Sequence, residues 1–119
     1  MKDVIIKEID KIKNKLFEMS DEIFEHPELC FKEHFASKVL EDYLEENGFE
    51  VERGLGSLDT AFRAKYSNGN AKYNIGLLCE YDALPMGHGC GHQMQGPSII
   101  GAAIAVSYTH LTLPTKRIV

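Results

Sequence analysis

The chain has 119 residues, of which 44% are apolar and 26% are charged, and its formal net charge is −5. This length is enough for one ordinary domain with a core, and the composition is typical of a globular protein rather than a disordered one. Acidic and basic residues are interleaved and form no basic patch, which argues against a nucleic-acid partner.

Nothing in the sequence indicates a membrane protein. No apolar run approaches the roughly 20 residues that a membrane helix needs, and the first residues lack the pattern of a signal peptide. The cysteines Cys30, Cys79 and Cys90 are odd in number and irregularly spaced. This usage fits a reducing compartment better than a disulfide framework, so we expect a cytoplasmic protein without a membrane partner.

Two helices are predicted first. Apolar residues recur at steps of four and three from Ile5 to Ile23, which predicts a surface helix with one buried stripe that ends before Pro27. The second predicted helix covers residues 33–47 and ends at Asn47-Gly48. His26 is interpreted as part of a structural turn, and Glu28 as a capping or solvated group.

Strands are predicted next. Residues 49–53 form the first, and a hairpin joins residues 61–66 to a strand from Lys72 onward through an Asn-Gly turn. The apolar run at residues 75–79 is interpreted as a central buried strand. Helices followed by strands indicate an α/β protein with an open sheet, in which sites collect beyond the carboxyl ends of the strands.

The candidate site is the loop that follows this run. Glu80 and Asp82 come first, and glycines then alternate with His88, Cys90 and His92. Glycine lets the backbone fold closely around a small object, and thiolate and imidazole are ligands that suit zinc and related divalent metals. Because Cys90 and His92 are two residues apart in an extended loop, both side chains can face one metal ion.

Two other interpretations stay open from the residues alone. Cys90 could act as a nucleophile activated by His88 or His92, which would make a thiol hydrolase. Residues so near in an extended loop rarely reach each other in line, so this arrangement is less favoured. The chain could also be an inert folded fragment.

The residues of this loop also carry a resemblance. Glu80-Tyr81-Asp82-Ala83-Leu84-Pro85 followed by Gly87-His88-Gly89-Cys90-Gly91-His92 resembles the metal-binding segment of the M20 family of metallopeptidases and amidohydrolases. The similarity is strongest to the aminoacylase-like branch that includes hippurate, indole-acetyl-amino-acid and aminobenzoyl-glutamate hydrolases. His26-Pro27-Glu28-Leu29 is similar to an early element of the same family.

The resemblance implies the N-terminal part of a zinc-peptidase-like catalytic domain, with helices packed on a mixed open sheet. It implies two divalent metal ions per site, zinc first, with manganese or cobalt as alternatives. Cys90 and His92 match metal ligands, and Asp82 matches the carboxylate that orients the site. The branch has Asp or Asn where this chain has Gln93.

The resemblance further implies that the catalytic Glu pair and the other ligands lie later in a longer chain. We therefore expect these 119 residues alone to be inactive. The expected substrate of the longer protein is a small amide: an N-acyl amino acid, aminobenzoyl-glutamate or a small peptide. We expect that longer protein to be a homodimer.

The last predicted helix covers residues 97–105, and the pattern then breaks. Translated back codon for codon, residues 106–115 resemble a transposase adaptor used in sequencing libraries. We therefore predict that residues 1–105 are the N-terminal portion of the hydrolase domain and that residues 106–119 are a non-native tail.

Overall fold

The computed structural model of the chain describes residues 1–69, 73–108 and 115–118. Within these ranges it contains three helices and a four-stranded sheet. The elements in chain order are α1 (Lys2–Glu25), α2 (His34–Glu46), β1 (Glu50–Arg53), β2 (Phe62–Asn68), β3 (Asn74–Gly76), α3 (His92–Ser107) and β4 (Thr115–Ile118).

The apolar stripe predicted for α1 is confirmed. Met19 and Ile23 are fully buried, and Ile12 and Leu16 are partly buried against the same core. Polar residues occupy much of the rest of the helix, as expected for an amphipathic surface helix. This stripe packs against α3, so α1 is one wall of the core.

Helices α2 and α3 complete the core, and α3 packs closely against both α1 and α2. Leu40 of α2 and Ile100 of α3 are fully buried. A Cβ on Gly96 would lie 2.8 Å from Leu40 Cδ1, and one on Gly101 would lie 2.6 Å from Leu16 Cδ1. A methyl group at either position would force the leucine side chain to move, so both glycines favour the close approach of α3 to its neighbours.

The sheet has the strand order β1-β2-β4-β3. β1 pairs with β2 and β2 pairs with β4 in antiparallel orientation, while β3 and β4 are parallel. The predicted fold class, with helices on a mixed open sheet, is therefore confirmed.

The predicted hairpin and central strand were wrong. β3 contains only three residues, lies at the edge of the sheet and pairs with β4 rather than with β2. Its residues are exposed, and Leu78 behind it is 92% exposed. An apolar run predicts burial only when another element covers it, and the choice of strand partner is not local. Part of the predicted turn and returning strand, residues 70–72, lies outside the described residues.

Helix α3 begins five residues earlier than predicted. The predicted helix starts at Pro97, and proline is favoured at a first helical position because it lacks the N–H that a helix interior requires. In the structure Pro97 lies inside α3 and is buried together with Gly96. Packing of this turn under Leu40 therefore outweighs the lost hydrogen bond.

Helix α3 also continues through Ser107, and Thr115–Ile118 form β4 within the sheet. The predicted non-native origin of residues 106–119 stays a prediction, and part of that stretch, residues 109–114 and 119, lies outside the described residues. Among the helices in the described part of the chain, none combines the length and the apolar character needed to span a bilayer.

Candidate metal centre

An extended segment between β3 and α3 presents two carboxylates on one side. Burial alternates along it: Glu80 is exposed, Tyr81 is buried, Asp82 is half-buried and Ala83 is buried. Side chains in extended chain alternate between two faces. Glu80 and Asp82 therefore share the outer face, while Tyr81 and Ala83 anchor the segment to the core.

Two hydrogen bonds fix this segment. The hydroxyl of Tyr81 donates to the carbonyl oxygen of Thr60 at 2.6 Å. The backbone N–H of Ala83 donates to the carbonyl oxygen of Glu28 at 2.7 Å. The positions of both carboxylates are thus set by contacts on the opposite face of the segment.

His92, the first residue of α3, lies beside these two carboxylates. Gly91 precedes it with φ of 87°, a left-handed conformation that favours glycine and turns the chain into the helix. His92 Nδ1 lies 2.8 Å from Asp82 Oδ1, and His92 Nε2 lies 3.1 Å from Glu80 Oε2. Both ring nitrogens therefore face carboxylate oxygens.

These three residues form the Glu80–Asp82–His92 cluster, in which one potential ligand atom from each lies within 4.8 Å of the others. One imidazole and two carboxylates are a ligand set for a divalent metal ion. A neutral imidazole has a single N–H and can donate to only one of the two carboxylates. A cation between Nε2 and Glu80 would satisfy both groups.

The predicted site residues are distributed unequally around this cluster. Asp82 and His92 lie within it, side by side. Cys90 is exposed and does not belong to the three-ligand cluster. Among the described residues no hydrogen bond joins Cys90 to His88 or His92, which weighs against the thiol arrangement. The roles of Cys90 and His92 as ligands stay predictions.

His88 has a different environment from His92. Both of its ring nitrogens are buried without a hydrogen-bond partner among the described residues, and its ring centroid lies 6.3 Å from that of Phe24. The Oε1 atom of Gln93, where the resembling branch has Asp or Asn, is also buried without such a partner. Both side chains therefore keep unused hydrogen-bonding capacity beside the loop.

Sequence reasoning missed Gln95 as a contributor to the site. Its Oε1 atom accepts a hydrogen bond from the backbone N–H of Glu80, which ties α3 to the carboxylate segment. Gln95 follows His92 by three residues, so both lie on one face of the helix. That spacing is the signal that could have found it.

Burial changes the acidity of two groups beside the carboxylates. It raises the pKa of the Cys79 thiol to about 11, with a smaller contribution from the charge of Glu80. Burial also raises the pKa of the Tyr81 hydroxyl well above its usual range, and the negative charge that Cys79 carries once it is deprotonated adds to this rise. At neutral pH both groups are therefore uncharged and act as part of the wall behind the cluster.

The chain is similar to several known hydrolases and peptidases. No family model matches the chain. One component of the p-aminobenzoyl-glutamate hydrolase of Escherichia coli (strain K12) is 35% identical over 116 residues, which covers 82% of this chain and 24% of that relative. The Xaa-Arg dipeptidase of Homo sapiens is 36% identical over 111 residues, covering 82% of this chain and 25% of that relative.

A solved structure is similar over nearly the whole chain. It is a Bacillus subtilis protein described as a dinuclear metal binding peptidase from the M20 family, with a TM-score of 0.77 and 26% identity. The match covers 92% of this chain and 35% of that structure. The chain spans about a quarter of the length of the two curated relatives.

Proposed function

This chain belongs to the M20 family of peptidases and amidohydrolases, and from that premise we propose that it forms one side of the metal centre of an amide-hydrolysing enzyme. The observation that supports this proposal most directly is the approach of both His92 ring nitrogens to carboxylate oxygens in a cluster of three potential ligands. The name of the Bacillus subtilis relative, a dinuclear metal binding peptidase, supports a divalent metal.

The residues present fit such an ion. His92 Nε2 and the Glu80 carboxylate would hold it, and Cys90, which matches a ligand of the resembling family, would add a thiolate. A bound divalent ion lowers the pKa of a water molecule and polarises an amide carbonyl. We propose zinc as the metal, with manganese or cobalt as alternatives, because all three suit mixed sulfur, nitrogen and oxygen ligands.

Asp82 has a separate task in this proposal. Its Oδ1 atom lies 2.8 Å from His92 Nδ1, so the carboxylate accepts the Nδ1–H and leaves the Nε2 lone pair toward Glu80. Such a contact selects the tautomer, fixes the plane of the ring and increases the basicity of the ligand nitrogen. Asp82 is therefore proposed as the residue that orients the ligand His92.

The substrate and setting follow from the relatives as proposals. Their names point to aminobenzoyl-glutamate and dipeptides, and a relative from Campylobacter jejuni is named a hippurate hydrolase. We propose a small amide of this kind, cleaved by a cytoplasmic, homodimeric protein longer than this chain. The 119 residues alone are proposed to bind metal without turnover.

The test is zinc binding by the complete 119-residue chain. Isothermal titration with Zn²⁺ is compared between the unmodified chain, His92→Ala and His34→Ala, in which an exposed histidine outside the cluster is the matched control. We expect His92→Ala to weaken binding at least about 100-fold, because a ligand is lost, and His34→Ala to bind as the unmodified chain does. Equal binding by His92→Ala would contradict the proposal.

A further inference from the structure

Helix α1 carries a second set of apolar side chains, which does not face the core. Ile6 is 47% exposed, Phe17 is 63% exposed and Phe24 is 50% exposed. Phe17 follows Ile6 by close to three helical turns, and Phe24 follows Phe17 by close to two, so the three side chains lie along one line of the helix. We call this line the Phe17 face. Exposed apolar surface of this extent is typical of an interaction site.

The Phe17 side chain borders two grooves. One groove, of about 500 Å³, follows the surface of α1 and is lined in part by Asn14 and Asp21. The other groove, of about 470 Å³, lies between α1 and α3 and is lined in part by Met94 and Pro97. A projecting side chain beside grooves is the shape into which the side chains of a second helix interdigitate.

The charges of α1 are divided between its two halves. Residues 2–15 contain five lysines and three acids, a net charge of +2, whereas residues 16–25 contain four acids and no lysine or arginine, a net charge of −4. The last turn of α1 has no basic residue. Because the C-terminal end of a helix dipole is negative, acids there are unfavourable unless a cation lies nearby. A second α1 helix in antiparallel orientation would place its basic half against this acidic half.

One antiparallel register brings apolar groups and opposite charges together at the same time. When Ile6 of one copy packs on Phe24 of the other, Lys13 lies against the ring of Phe17, a favourable cation–π arrangement. Residues 7 and 25 are separated by five helical turns, so they lie on the same side of the interface. Two-fold symmetry repeats every contact, and the face is therefore complementary to itself.

The pair at residues 7 and 25 is available for such a contact. Lys7 and Glu25 are both exposed, and among the described residues neither takes part in an ion pair. In the antiparallel register each Lys7 lies beside Glu25 of the second copy. A parallel register would instead set lysines against lysines and acids against acids, which is unfavourable.

We propose that the Phe17 face is the surface through which two copies of this chain associate, with their α1 helices antiparallel. The occupant of the face is a second copy because both its apolar line and its two charged halves complement themselves. This inference rests on the homodimer in the proposed function. It does not depend on the metal, because α1 contributes no residue to the Glu80–Asp82–His92 cluster.

The test is the oligomeric state of the complete 119-residue chain, measured by sedimentation equilibrium over a range of protein concentrations. We expect a monomer–dimer equilibrium. Phe17→Ser should raise its Kd at least about 10-fold, because the apolar contact at the centre of the face is lost. Leu78→Ser is the matched control: Leu78 is 92% exposed and lies behind β3, away from α1, so the Kd should stay unchanged. Circular dichroism confirms that both variants fold.

Two charge reversals test the antiparallel arrangement. Lys7→Glu would set acid against acid in both symmetric contacts, and Glu25→Lys would set lysine against lysine. Each should raise the Kd about five-fold. The chain with both substitutions should regain the affinity of the unmodified chain, and so should an equal mixture of the two single variants, because opposite charges meet again.

Three outcomes would overturn this inference. They are a monomer at every concentration up to about 1 mM, a dimer weakened by Leu78→Ser but not by Phe17→Ser, and charge reversals that the second substitution does not rescue. The second of these would place the contact at the sheet edge. None of them alters the Zn²⁺ titration of the unmodified chain and His92→Ala, which tests the metal centre by itself.

Discussion

Two stretches of the chain combine a histidine with nearby carboxylates, and they use them differently. In the loop before α2, His26 stacks on Phe35 with ring centroids 3.9 Å apart, and its Nδ1 atom lies 2.8 Å from the carbonyl oxygen of Glu22. Glu28 accepts the backbone N–H groups of Phe35 and Ala36 at 2.9 to 3.1 Å. Both side chains are occupied by the protein itself.

In the Glu80–Asp82–His92 cluster, the same residue types face one another. The Asp82 carboxylate is hydrogen-bonded to His92 Nδ1, and the Glu80 carboxylate lies 3.1 Å from His92 Nε2. Among the described residues neither carboxylate accepts a backbone N–H. A histidine and an acid are therefore structural when backbone groups occupy them and available for a cation when backbone groups do not.

The two stretches are also connected. Glu28 caps α2 through its side chain, and its carbonyl oxygen accepts the N–H of Ala83 one residue after Asp82. The first stretch therefore supports the second. Four measurements, with expected effects that decrease from the first to the last, test this division of roles.

The largest expected difference is in the reactivity of the two thiols, Cys30 in the first stretch and Cys79 beside the second. Cys30 in the first stretch is exposed, whereas burial raises the pKa of Cys79 to about 11 from an ordinary 9.0. The thiolate is the reactive form, so at pH 8 Cys79 should be alkylated by iodoacetamide at least about 100-fold more slowly than an ordinary thiol. Peptide mass spectrometry over time measures both rates.

The pH dependence of the alkylation rate provides the control for this prediction. Raising the pH from 8 toward 11 should speed the alkylation of Cys79 strongly, because burial raises the pKa of its thiol to about 11. Equal rates for both thiols at pH 8 would show that Cys79 is not in the buried setting described.

Changing Asp82 should affect metal binding strongly. Asp82→Asn keeps the size of the side chain but removes the charge that orients His92, and we expect Zn²⁺ affinity to fall about 10- to 100-fold. Asp59→Asn, an exposed aspartate outside the cluster, is the matched control. Competition with a chromophoric chelator measures both affinities, and unchanged affinity in Asp82→Asn would remove the distinction between the stretches.

Changing Glu28 should affect stability and leave metal binding alone. Glu28→Ala leaves the N–H groups of Phe35 and Ala36 without their acceptor, so the free energy of unfolding should fall by about 1 to 2 kcal/mol. Glu25→Ala, an exposed acid nearby, should change it little. Urea unfolding measures stability. A loss of Zn²⁺ affinity in folded Glu28→Ala would contradict the division of roles, because it would show that the Glu28 side chain also affects the metal site.

Changing Tyr81 should have the smallest effect, and it should lower both the stability of the chain and its Zn²⁺ affinity. Tyr81→Phe removes the hydroxyl that donates to Thr60, at a cost of about 1 kcal/mol in the free energy of unfolding. Because this contact anchors the segment between Glu80 and Asp82, Zn²⁺ affinity should fall less than in Asp82→Asn. Tyr108→Phe at an exposed position is the control, and a larger affinity loss than in Asp82→Asn would contradict the order of effects.

The local features of the chain were predictable from sequence. The apolar stripe of α1, the extent of α2, the structural role of His26 and the capping role of Glu28 all follow from patterns within about a dozen residues. Such features depend on helical periodicity and on the chemistry of helix ends, which neighbouring residues determine.

The predictions that failed concern features that depend on distant parts of the chain. The run at residues 75–78 resembles a buried strand, yet β3 is an exposed edge because its partner is β4. Helix α3 includes Pro97 because Leu40, far away in sequence, packs on Gly96. Strand partners and close helix contacts are choices between segments, and local propensity does not decide them.

The candidate site combines local features with features that depend on distant parts of the chain. The order of residues already places Glu80, Asp82, Cys90 and His92 close along one glycine-rich loop, and their chemistry suits a metal. Which of them meet depends on packing: α3 turns the ring of His92 between Glu80 and Asp82, while Cys90 lies exposed outside that cluster. The reason is that the direction of a side chain at the start of a helix is set by how the whole helix packs.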